Sequence, residues 1–324
     1  MARNGWKSIV VAIADPYRDQ QLALAKAAAI AERSGARVTL FNAFALPAPP
    51  SGSAIVSSRE VLQTESDEHR QQLQHLARPL EKKGLATTCV AEWDFPWHEA
   101  IVRFVLRTAP DLVIAESHRH NVFARMVFAT TFLANTDWEL IRSCPCPLWL
   151  VRSRSLPTEP RVLVAVDPRH THAKPARLDD LLIAGANRLV EQLGGTVSIA
   201  HVYEPLLSGA SGTFMEPIRL PLSSKRARDF NTATRQAVDA LAVRHAIKPA
   251  NRILEVGDAV HTLPAIAKSR KTDLLVMGAV SRSRLERPFI GNTAEKVIDH
   301  VGCDVLILKP ATFKTTVKRT RARL

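Results

Sequence analysis

The chain contains itself twice. Residues 9–16 read IVVAIADP and residues 162–168 read VLVAVDP. Residues 35–44, GARVTLFNAF, return as GGTVSIAHVY at 194–203. DLVI at 111–114 returns as DLLV at 273–276, NT at 135–136 as NT at 292–293, and CPLWLV at 146–151 as CDVLIL at 303–308. The order never changes and the offsets run only from 152 to 162, so one unit of roughly 150 residues is duplicated. A solenoid, whose period is about 20–50 residues, is excluded. The drift in offset assigns insertions to surface loops.

Within each unit, short β-branched runs bounded by Gly, Pro or Asp alternate with stretches of helical spacing. Residues 20–33 place Leu22, Ala25, Ala29 and Ile30 on one side, and residues 178–193 do the same with Leu178, Leu181, Leu182, Leu189 and Leu193. Strands separated by amphipathic helices require right-handed crossovers and a parallel sheet. The predicted class is α/β: two tandem five-stranded parallel sheets with helices on both faces. Strands are predicted near 8–14, 37–44, 87–92, 111–115 and 147–151, then near 161–166, 196–203, 251–256, 273–277 and 304–309. Helices of the second unit are predicted near 176–193, 223–246, 259–270 and 292–301. The expected division is a first domain over 1–152, a linker over 153–160, a second domain over 161–312 and a basic tail over 313–324. The Pro/Gly/Ser-rich stretches 45–58 and 204–222 read as loops at equivalent places, either lids or tolerated insertions.

Composition narrows the function. No apolar run reaches the roughly 18–20 residues of a spanning helix, and the start of the chain lacks the pattern of a signal peptide. The expectation is a cytoplasmic protein with no membrane insertion. Four cysteines do not make a disulfide framework. The formal charge of +13 owes five cations to the tail: Lys314, Lys318, Arg319, Arg321 and Arg323. Such a tail reads as a solvated terminus or as a weak, nonspecific contact for a polyanion such as DNA or RNA. The phosphate-binding loop of P-loop NTPases, the dinucleotide glycine fingerprint and the hydrolase nucleophile elbow are all absent. No nucleophile, base and orienter can be nominated together, so no reaction is assigned.

Doubly wound sheets bind ligands beyond the carboxyl ends of the strands, where the winding reverses. In the second unit those tips carry Asp167, then Gly278 and a basic loop, then Gly291, Asn292 and Thr293 opening a helix. Free backbone N–H groups at a helix start, with an amide and a hydroxyl beside them, suit an anion. Asp167 offers an acceptor to a ribose hydroxyl or an amino group. Taken singly, each residue is equally well a turn former or an N-cap. The first unit carries Glu116 where the second has Gly278, and Ala134 where it has Gly291. A carboxylate there repels a polyphosphate. His118 and His120 alternate on one segment and could share a metal, as could His170 and His172; two imidazoles are not a full site, and solvated loop histidines are the favoured reading.

The run Gly278-x2-Ser281-x9-Gly291-Asn292 resembles the Gly-x2-Gly-x9-Gly-(Ser/Thr) motif of the universal stress protein family. The phrases NTDW at 135–138, CPCPLW at 144–149 and GNTAEKVIDH at 291–300 resemble its tandem, two-domain E type. The resemblance spans nearly the whole chain. It implies a pseudo-dimer of the two domains joined through their last strands, with further homodimerisation left open. It implies a stress-response role, including resistance to DNA-damaging agents, and at most weak ATP hydrolysis. It also implies ATP or another adenine nucleotide in the second domain, contacted by Asp167, Val202 (main chain), Gly278, Ser281, Gly291, Asn292 and Thr293. Ser281 and Asn292 depart from the family pattern, and the first domain is expected to hold no nucleotide.

Overall fold

The structure is a computed structural model. It describes residues 5–45, 58–117, 136–153, 157–169, 177–204, 206–207, 218–219, 224–279 and 292–320. Unit one runs β1 (Ser8–Ala12), α1 (Leu22–Ser34), β2 (Arg37–Phe44), α2 (Ser58–Lys82), β3 (Thr87–Trp93), α3 (Trp97–Thr108), β4 (Leu112–Glu116), α4 (Thr136–Ser143) and β5 (Leu148–Val151). Unit two runs β6 (Arg161–Ala165), α5 (Leu178–Leu193), β7 (Thr196–Tyr203), a ribbon of β8 (Leu206–Leu207) and β9 (Ile218–Arg219), α6 (Lys225–Arg244), β10 (Arg252–Val256), α7 (Ala259–Ser269), β11 (Leu274–Gly278), α8 (Asn292–His300) and β12 (Asp304–Leu308).

Local chemistry explains the boundaries. Gly35 leaves α1 at φ +70°, and its N–H closes on the Ala31 carbonyl at 2.8 Å, the left-handed helix end that glycine accommodates without strain. Ser224 caps α6, its Oγ accepting the Ala227 N–H at 3.1 Å. The repeated aspartates that open β4 and β11 are structural. Asp111 Oδ2 accepts the Lys7 and Ser8 N–H groups at 2.9 and 3.0 Å, and Asp273 Oδ2 accepts the Arg161 N–H at 2.8 Å. Each ties the start of one central strand to the start of its neighbour. The stretch 204–222, read from sequence as a loop, contains the antiparallel ribbon, with Leu206 opposite Arg219 and Leu207 opposite Ile218.

All ten main strands form one sheet, in the order β10-β7-β6-β11-β12-β5-β4-β1-β2-β3. Each half is parallel, and the halves meet where β12 and β5 run antiparallel: Val305 opposite Leu150, Leu306 opposite Trp149, Ile307 opposite Leu148. All six of these residues are buried. The pseudo-dimer of the predicted fold is therefore a continuous sheet. One face is covered by α1, α2, α5 and α6, the other by α3, α4, α7 and α8, and each of the two apolar cores runs through both units.

The repeat relates the two sides of this junction by a pseudo-two-fold axis between Trp149 and Leu306. Arg152 follows β5 and crosses to unit two, where its guanidinium donates to the Val301 carbonyl at 3.0 Å and to that of Ile298. Lys309 occupies the equivalent place after β12 and crosses the other way, donating to the Arg142 and Cys144 carbonyls at 3.0 and 2.8 Å. Each cation thus closes the C-terminus of the other unit's last helix, where a helix presents unpaired carbonyls and partial negative charge. Burial pushes the Lys309 ammonium down to about 7.

One contact has no two-fold mate. Asp304 is fully buried and holds Lys26 Nζ of α1 at 2.9 Å. Its oxygens also accept Trp149 Nε1–H at 3.0 Å and the Arg152 and Ser153 N–H groups at 2.9 and 2.8 Å.

The beginning of the tail is packed, which corrects the reading of a solvated terminus. The Lys309 ammonium lies 3.8 Å from the Phe313 ring centroid, and half-buried Val317 packs on the core that α4 and α8 share. Thr315 between them is half-buried and its Oγ1 accepts the Val317 N–H at 3.2 Å, while Lys314 and Thr316 are exposed.

Candidate functional site

In unit two the winding reverses between β6 and β11. Asp167, two residues past the end of β6, is buried, and its main-chain N–H donates to Asp179 Oδ1 at 3.1 Å. Val202 lies near the end of β7. The last bond between β6 and β7 runs from the Val166 N–H to the Ala200 carbonyl at 2.9 Å. By strand alternation Val202 turns its main-chain polar groups to the same side, beyond that bond. Asn292 and Thr293 form the start of α8. Ser281 and Gly291 lie outside the described residues, as do His118, His120, His170 and His172. Among the described residues, no cluster of three or more His, Cys, Asp or Glu side chains is arranged to hold a metal ion.

Gly278 is the last residue of β11, and a Cβ there would stand 2.8 Å from Leu178 Cδ2. The missing side chain accommodates the start of α5.

A ring stack at the same tips lies outside every motif read from the sequence. His201 Nδ1 lies 2.9 Å from the Val166 carbonyl, which places the ring hydrogen on Nδ1. The His201 ring lies nearly parallel to Tyr203, with centroids 5.7 Å apart, and Tyr203 sits 5.8 Å from Phe230. The Arg169 guanidinium lies 4.2 Å over Phe230 and donates to the Phe230 carbonyl and Thr234 Oγ1, both at 3.1 Å. The Tyr203 hydroxyl donates to Asn231 Oδ1 at 3.0 Å. Beside this stack, a cleft of about 230 Å³ is lined by Pro168, Arg177, Asp179, Asp180, Leu241 and Arg244, among others. The visible signal was a histidine between the apolar residues Ala200 and Val202 of β7, since a buried polar side chain must find a partner.

Unit one has the same framework with different occupants. Asn42 stands where His201 stands and donates from Nδ2 to the Ile13 carbonyl at 2.8 Å. His69 of α2 hydrogen-bonds Asn42 Oδ1 through Nδ1 at 2.7 Å and stacks on Phe44 at 4.6 Å. Burial pushes the His69 imidazole below its ordinary range, against the pull of Glu65, Glu68 and Asp15.

Glu116, at the position of Gly278, has turned inward. Its Oε1 accepts the Leu22 N–H at 2.5 Å and the Ala23 N–H at 3.4 Å, at the start of α1, and its Oε2 binds the Arg18 guanidinium. In the first turn of α4, buried Asp137 accepts the Ser117 hydroxyl at 2.7 Å. The like-charge repulsion read from sequence is thus only part of the difference. Protein carboxylates stand at the starts of α1 and α4; α5 also opens on carboxylates, Asp179 and Asp180, but at the start of α8 the counterpart of Asp137 is Ala294.

An open doubly wound sheet, duplicated and joined edge to edge, with polar side chains at its switch points, defines a tandem doubly wound α/β class. The comparisons agree with that class. A sequence profile of the universal stress protein family matches residues 5–152 and 160–309. The chain belongs to the universal stress protein family, whose members serve the response to stress. It is 27% identical over 321 residues to universal stress protein E of Salmonella typhi and of Escherichia coli K12, covering 95% of this chain and 96% of theirs. The universal stress protein E homolog of Haemophilus influenzae is 25% identical over 317 residues, covering 94% of this chain and 98% of that one. Among solved structures, a Pseudomonas aeruginosa protein of unknown function aligns with a TM-score of 0.71 at 21% identity, over 96% of this chain and 95% of that one. A universal stress protein of Archaeoglobus fulgidus aligns at 0.62 and 14%, over 93% and 96%. These two structures share the fold.

Proposed function

We propose that this chain is a non-catalytic stress-response protein that holds one adenine nucleotide, at the switch point of unit two, and supports survival under stress, including damage to DNA. Unit one is its structural partner and carries no nucleotide. The observation that supports this reading is the contrast at the tip of the fourth strand of each unit. Glu116 and Asp137 engage the region of the helix starts in unit one, whereas Gly278 presents no side chain in unit two. The nucleotide's phosphates would meet the loop ending in Gly291 and the N-terminal turn of α8, with Ser281, Asn292 and Thr293 as donors. Asp167 and the main chain of Val202 would take the nucleoside.

Titration calorimetry of the full chain with ATP tests this. One ATP per chain is expected, lost in Gly291→Asp and kept in Ala134→Asp. Two ATP per chain would overturn the reading of Glu116, and no heat in the parent chain would overturn nucleotide binding altogether.

A further inference from the structure

The junction between the units is mostly indifferent to which unit stands on which side. The β5–β12 ladder is apolar on both strands. The crossing cations are equivalent too: a unit-one pair would carry two copies of Arg152, a unit-two pair two copies of Lys309, and either would close helix ends. Such an interface would let a last strand pair with its own kind in a second chain.

Lys26 and Asp304 break that indifference. Gly35 and Gly194, both at positive φ, end α1 and α5 and align the two helices. On that alignment the counterpart of Lys26 is Gly185, and the counterpart of Asp304 is Pro147. A Cβ on Gly185 would stand 2.5 Å from Leu308 Cδ1 of the same unit, so α5 has no room for a side chain where α1 carries Lys26, and neither member of the mate, Gly185 or Pro147, carries a charge.

We propose that the Lys26–Asp304 pair is the recognition element that makes unit two the required partner of unit one and excludes pairing of like with like. Two copies of unit two would bury two Asp304 carboxylates against Gly185 and Leu308. Two copies of unit one would bury two Lys26 ammoniums against Pro147 and Val151. Neither pairing supplies a counter-charge, and an unpaired charge in such a site is among the costliest defects an interface can carry. The correct pairing supplies it with four donors on one carboxylate.

The test begins with the whole folded chain carrying a protease site in the 153–160 linker. The protein is cleaved, unfolded, refolded and weighed by native mass spectrometry. The parent protein is expected to return only one-to-one pairs of unlike units. The double variant Lys26→Met/Asp304→Asn, which removes both charges, is expected to return like pairs as well, approaching the statistical mixture. Exclusively unlike pairs in the double variant would overturn the proposal. Uncleaved chains refolded at high concentration provide the second measurement. The double variant should form concentration-dependent chain-to-chain assemblies by light scattering while the parent stays unchanged, and identical behaviour of the two would also overturn it.

Discussion

Replacing Asp304 by alanine should cost far more stability than replacing Lys26 by methionine, although the two form one ion pair. The carboxylate holds four donors: Lys26 Nζ, Trp149 Nε1 and the N–H groups of Arg152 and Ser153. Asp304→Ala therefore leaves an ammonium that is 2% exposed without its carboxylate, and strips three further donors of the acceptor they share. Removing one member of a buried pair costs about 3–5 kcal/mol, and the orphaned donors place this variant at the upper end, near ~5 kcal/mol. Lys26→Met keeps the apolar stem of the side chain and leaves the carboxylate with three N–H donors, so about 1–3 kcal/mol is expected. Glu32→Gln, which breaks the exposed pair with Lys83, serves as the control and should cost no more than about 0.5 kcal/mol. Urea unfolding of the full chain, compared at constant slope, measures all three. An Asp304→Ala loss equal to or smaller than that of Lys26→Met would refute the reasoning that the carboxylate is the hub of the junction.

Lys309 gives the protein a pH dependence of definite sign. Its folded pKa, about 7, lies below the ordinary lysine value of about 10.4. The unfolded chain therefore binds more protons between those values, and stability should rise with pH across that window. Lys309→Met should flatten this rise in unfolding curves taken at a series of pH values; an unchanged slope counts against it. Truncation after Thr312 removes the Phe313 and Val317 contacts and should lower the unfolding free energy by about 1–2 kcal/mol, where a freely solvated tail would leave it unchanged.

What the sequence by itself determined follows from local periodicity and from duplication. The apolar runs at 37–44 and 196–203 became β2 and β7 over those same residues, because a short, nearly continuous buried run suits a parallel strand covered on both faces, and that signal lies within a single strand. The ordered repeat established that both units share one topology, so it also located both switch points and put Asp167 at the tip of one. What fills those tips was decided by tertiary structure. Glu116 reads in sequence as a carboxylate at the end of a strand, and only folding brings it to Leu22, 94 positions earlier, where the bare N–H groups of a helix start donate to it. His69 was invisible beside Asn42 because Asn42 is on β2 and His69 arrives from helix α2. Lys26 sits in an alanine-rich helix where a lysine ordinarily faces water, and Asp304 looks like a turn residue before a strand. Each is buried only because the antiparallel junction of β5 and β12 brings α1 over the start of β12, and a buried charge persists only where its counter-charge and donors are delivered with it.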